Sequence, residues 1–190
     1  MKKLLALCVV ALLAASCAST QAVSSESGAG VEAACDTETT AEWRGSDNRV
    51  FRVTASTNGA NCAQAVVLLV VRDNSGNVVW TDARATAHVM GLNEPTTRIG
   101  MTRALADWVG FPLQRLQTTA HLAPWAQTSG QPGESEFPFQ PEEWIDEEFY
   151  EHLAGEARPM FCYIQGRESI ACLVEFQGQL EKIGVQSFPG

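Results

Sequence analysis

Hydrophobic and polar positions fall into two strand-like regions, one early and one at the end, with helical spacing between them. Residues 50–57 and 63–72 are rich in Val, Leu and Thr, and Asp73-Asn74-Ser75-Gly76-Asn77 supplies a turn before Val78-Val79-Trp80-Thr81. This pattern predicts a β-meander. The run 65–71 is apolar at nearly every position, as expected of a central strand covered on both faces. A first helix is expected over 97–109, opened by a Thr cap after Pro95 and closed by Gly110, with Met101, Leu105, Trp108 and Val109 on one face. A second is expected over 141–154, with Pro141 in the first helical position and Gly155 as the stop. In that helix Ile145, Phe149 and Leu153 recur every four residues with Trp144 beside them, a stripe suited to packing on a sheet.

Between the helices, 110–140 carries Pro112, Pro124, Pro132 and Pro138. A loop this long is either a binding feature or a packed wrap. The chain then returns to strands at 159–165, 168–176 and 179–187, with turns at Gly166-Arg167 and at Gly178. Strands grouped in runs around two helices argue an α+β domain. The expectation is a mostly antiparallel sheet of about six strands (β-meander, helix, long loop, helix, β-meander) with two covering helices. Trp80, Trp108 and Trp144 lie on periodic segments and read as core, whereas Trp43 and Trp125 lie in loop-like sequence, where Trp either packs or lines a groove.

Cysteine positions add covalent restraints to this picture. A hairpin centred on Arg167 sets residue 162 opposite residue 172, and opposed Cβ atoms about 4.5 to 5.5 Å apart are close to what a disulfide needs. Cys162 with Cys172 is the expected pair, which leaves Cys35 with Cys62. The short two-to-four-residue ligand spacing of a zinc site is absent from these four.

The N-terminus changes the cellular picture. Lys2 and Lys3 precede an unbroken apolar run over 4–13, and Ala14, Ala15 and Ser16 precede Cys17. That is the layout of a secretory signal peptide, and its run is well short of the roughly 20 residues of a transmembrane helix. Leu13-Ala14-Ala15-Ser16-Cys17 resembles the lipobox of bacterial lipoproteins, with Ala14 where that family favours Leu. The resemblance implies cleavage after residue 16, diacylglycerol on the Cys17 thiol, and, with Ala18 rather than Asp next, attachment to the outer membrane facing the periplasm. Residues 17–34, rich in Ser, Ala and Gly, would form a flexible tether, and 35–190 a single globular domain. Assigning Cys8 to the signal and Cys17 to the anchor leaves an even four cysteines, which suits an oxidising compartment.

Charge then narrows the partners. Without Lys2 and Lys3, 11 basic residues face 22 acidic ones, a net charge of −11, which disfavours nucleic acid and anionic lipid. The 134–156 stretch holds nine carboxylates and no Lys or Arg. Glu143, Glu147 and Glu151 fall four apart and would share a helix face. Two readings stand for that face: a solvated surface, or a docking site for a cationic protein or a loosely held divalent ion. An EF-hand ligand pattern is absent. His88, His121 and His152 have no partner at a telling spacing, and Glu148 with His152 lacks the second half of a paired metal motif. No Gly-x-Ser-x-Gly elbow or Ser-x-x-Lys is present. The expectation is a non-catalytic envelope lipoprotein without cofactor, either binding another macromolecule or serving a structural, accessory role that shields an assembly. The alternatives are an acidic inhibitor of a basic enzyme such as a cell-wall hydrolase, and a hydrolase whose site has no sequence signature.

Overall fold

The computed structural model describes residues 34–110 and 117–188. The signal sequence, Cys17 and all but the last residue of the tether lie outside the described residues.

Among the described residues nine strands form two antiparallel sheets, not one sheet of six. The first sheet runs in simple chain order from β1 (Thr37–Arg44) through β2 (Val50–Asn58) and β3 (Val66–Arg72) to β4 (Val78–Ala85). Helix α1 (Arg98–Gly110) follows. The second sheet is built from β5 (Gln117–Thr118), β6 (Phe139–Pro141), β7 (Pro159–Ile164), β8 (Ser169–Phe176) and β9 (Gln179–Ser187), in the order β5-β7-β8-β9-β6. Helix α2 (Glu147–Glu156) lies between β6 and β7 in the chain. The chain is thus a sheet-rich α+β fold.

Alternation decides which surfaces meet. Phe51, Val53 and Ala55 of β2 and Val67, Leu69 and Val71 of β3 point inward, where they share one core with Phe161 and Tyr163 of β7 and Ala171 and Leu173 of β8. Met101, Leu105 and Trp108 of α1 close that core. The Trp108 indole N–H donates to the Ile164 carbonyl at 2.7 Å. The intervening residues of the second sheet, Met160, Cys162, Cys172 and Val174, face the other way and join Tyr150 and Leu153 of α2 in a second core. The strands covered on both faces are therefore β7 and β8. The 65–71 run alternates instead, with Val66 48% and Leu68 40% exposed on the outer face. A continuous apolar run does not distinguish a two-faced strand from one with an uncovered apolar side.

Both disulfides form as expected, Cys35 with Cys62 in the first core and Cys162 with Cys172 in the second. Cys162 and Cys172 are direct partners across β7 and β8, which is why the hairpin register identified them. An ion pair between Arg49 and the buried Glu175 ties the β1–β2 turn to β8, so it fastens one sheet to the other.

The helix starts separate one success from one error. The Thr97 hydroxyl accepts the Gly100 N–H at 3.1 Å, the cap expected for α1. Pro141 does not open α2: it ends β6, paired with Gly184 of β9. The cap of α2 is Asp146, whose carboxylate accepts the Phe149 N–H at 2.9 Å. Proline suits a first helical turn and also a short edge strand, where its missing N–H faces no partner. The edge strand prevails here because Glu142 N–H is drawn to the Ile183 carbonyl at 3.1 Å. At the far end α2 runs past Gly155 to Glu156, and Ala157 in the left-handed conformation (φ 51°) ends it.

Candidate functional site

The acidic stretch, once folded, carries an exposed tryptophan that tops an aromatic cluster. Glu142 is tied to β9 through its N–H, and its carbonyl accepts the Ile145 N–H at 2.9 Å. Ile145 is buried. The chain is thus pinned on both sides of Glu143 and Trp144, and Trp144 projects 51% exposed. Its ring lies 5.5 Å from Phe149 of α2 and 6.3 Å from Phe176 at the end of β8, while those two lie 5.9 Å apart. Such separations suit edge and tilted packing of aromatic rings. The Arg158 guanidinium sits 5.1 Å over the Phe176 ring. Trp144 therefore does not belong to the core; it caps a partly buried aromatic trio.

Of the three acids expected on one helix face, Glu147 and Glu151 lie in α2 and remain a four-residue pair. Glu143 lies before the helix, because the helix starts at Asp146 rather than Pro141. All three are exposed, as is Glu148. Glu142 is engaged by Lys182 at 2.7 Å. Glu156 is gripped by both nitrogens of the Arg158 fork at 2.7 and 3.1 Å, and that hydrogen bonding holds its carboxyl below the usual range. What is left is a set of exposed carboxylates, of which Glu147 and Glu148 lie in the first turn of α2, where the helix dipole favours negative charge.

Other expected candidates take structural places. Trp43 is in β1, buried at 6% exposure, with its ring 5.1 Å from Phe51 and 5.5 Å from Phe161. Trp125 packs edge-on against Tyr150 at 5.3 Å. The described part of the 110–140 loop, from residue 117 on, is a packed wrap. The Thr119 hydroxyl donates to the Leu153 carbonyl at 2.6 Å, and the Tyr150 hydroxyl donates to the Ala123 carbonyl at 2.8 Å. Among the histidines, His121 Nδ1 accepts the Thr118 N–H at 3.2 Å and His152 lies 3.6 Å from Glu156 on its own helix. His88 ends the short turn after β4. Among the described residues no group of three His, Cys, Asp or Glu side chains is placed to hold a metal ion.

Sequence reasoning found the acids and missed the aromatic centre. The available signal was Trp144 between Glu143 and Asp146 in a stretch with no basic residue. Comparison with known proteins gives no match to a family model, a curated protein or a solved structure.

Proposed function

We propose that this chain is an exported envelope lipoprotein, held by a lipid on Cys17 at the outer membrane and facing the periplasm, whose domain binds a cationic protein rather than catalysing a reaction. The reading rests on one observation above all: a pinned, half-exposed Trp144 on an aromatic base, in an acidic segment whose Glu143, Glu147, Glu148 and Glu151 are all exposed. Aromatic anchors within a polar rim are where binding energy concentrates in protein interfaces. An excess of negative charge on the segment steers an oppositely charged partner and raises its on-rate. The same face would serve an inhibitor of a basic cell-wall hydrolase, so that reading shares the test.

Two measurements check the proposal. Cys17→Ser should move the protein from the membrane fraction to the soluble one, and unchanged fractionation defeats the anchor. The mature protein, immobilised at low ionic strength and challenged with envelope extract and with a basic cell-wall hydrolase, should retain a cationic protein. Trp144→Ala should then weaken retention by about 2 kcal/mol, near thirtyfold, and Glu147→Lys with Glu151→Lys should slow capture. Equal retention by the Trp144→Ala variant would show that binding uses another surface.

A further inference from the structure

The free edge of the first sheet carries an inference independent of the aromatic face. β4 is the end strand of its sheet, and its pairing with β3 fixes which backbone groups it leaves outward. Thr86 N–H donates to the Ala65 carbonyl at 2.9 Å, one step beyond the Val66–Ala85 pair. In an antiparallel ladder hydrogen-bonded pairs alternate with non-bonded ones. Arg84, Asp82 and Trp80 therefore turn their N–H and C=O toward β3, and Thr81, Ala83 and Ala85 turn theirs away. Among the described residues no backbone group bonds to these three from outside the β3–β4 pair, and all three are exposed. Natural edges are guarded by proline, lysine, inward-pointing charges or a bulge. Residues 81–85 contain no proline or lysine, their two charges Asp82 and Arg84 are paired with each other, and the β3–β4 irregularity lies at the other end, at Val71/Arg72.

We propose that this edge pairs with the same edge of a second copy of the chain, antiparallel about a two-fold axis through Ala83. Only residues with outward groups can form hydrogen-bonded pairs, so Ala83 meets the partner's Ala83, and Thr81 meets the partner's Ala85. This register places Asp82 opposite the partner's Arg84 in a non-hydrogen-bonded pair, where side chains approach closest. Within one chain these two already attract, Arg84 Nε lying 2.9 Å from the Asp82 carboxylate. Across the axis the same two charges are complementary twice, which makes the edge self-complementary as a two-fold interface requires. On the outer face, Leu68 is 40% exposed beside Ala83, so small side chains at the axis let two apolar faces run together into one. Another protein's strand would find the hydrogen bonds but not this charge pairing.

The test uses the mature chain exported through its own signal, with Cys17→Ser to remove the lipid. Sedimentation equilibrium should show a monomer–dimer equilibrium. Arg84→Glu sets like charges opposite each other and should raise the dissociation constant by roughly tenfold or more. Ala83→Pro removes only an outward N–H, so it should abolish the dimer while thermal unfolding stays cooperative. Ala83→Cys should give a covalent dimer on oxidation, and Thr81→Cys should not, because those two positions would lie about 13 Å apart along the strands. A monomer at millimolar concentration overturns the proposal. So does a dimer that survives Ala83→Pro, or one that cross-links through Thr81→Cys.

Discussion

Trp43→Ala should destabilise the domain by about 3 to 5 kcal/mol, read as a lower urea midpoint at nearly unchanged slope. The indole bridges the two sheets, resting on Phe51 of β2 and Phe161 of β7, so its removal opens a cavity between layers that strand pairing prevents from collapsing. By contrast Trp144→Ala, on a half-exposed ring, should cost about 1 kcal/mol or less. Two residues of one type thus separate into a stability role and a surface role, and the pair of variants measures the division. Equal midpoints for the two variants would refute the assignment of Trp43 to the inter-sheet core.

Raising the pH past 10 should destabilise the protein through its tyrosines, read as a falling urea midpoint. The chain contains two, Tyr150 and Tyr163, and both side chains are essentially buried. Burial pushes the Tyr150 phenol up to about 12. Tyr163 is raised further, by burial first and then by the charge of Asp82, to which its hydroxyl donates at 2.8 Å. In the unfolded chain both ionise near the usual value of about 10. Stability from this source is complete below pH 10 and is lost as the pH climbs toward the folded values, because only the unfolded state then releases protons. At pH 11 the loss is roughly 2 to 3 kcal/mol for the pair. Phenolate absorbance should therefore appear together with loss of secondary structure, in one cooperative step. Ionisation near pH 10 with the fold intact would show that the phenols are open to solvent.

What the sequence made legible follows from how local each signal is. The terminal hairpins, α1 with its Thr cap, and the Cys162–Cys172 bond depend on turn residues and register within a short span, and each is found as read, while Cys35–Cys62 follows only by elimination once that pair is set. β1 was invisible because Thr37, Glu38, Thr39, Thr40 and Glu42 are those of an edge strand with a largely solvated face. Its only strong apolar marker, Trp43, sits near the end and resembles a loop tryptophan. The division into two sheets was equally hidden, since an apolar run states that a strand is buried but not by what. The aromatic centre of the candidate face depends on Phe176 from a different part of the chain than Trp144 and Phe149, a tertiary meeting that no local pattern encodes. The acids around it were legible because charge needs no folding to be counted.

The Cys35–Cys62 bond has a mechanical consequence. Cys35 opens the folded domain just before β1, and Cys62 lies in the connection between β2 and β3. β1 is an outer strand of its sheet, so tension applied at its first residue would otherwise peel it away one hydrogen bond at a time. With the disulfide closed, a pull arriving along the chain ahead of Cys35 is carried across a covalent bond to the β2–β3 connection and spread over the interior of the sheet. The domain can then bear load at this end without fraying from it, and reduction of this one bond would let the sheet open like a zipper.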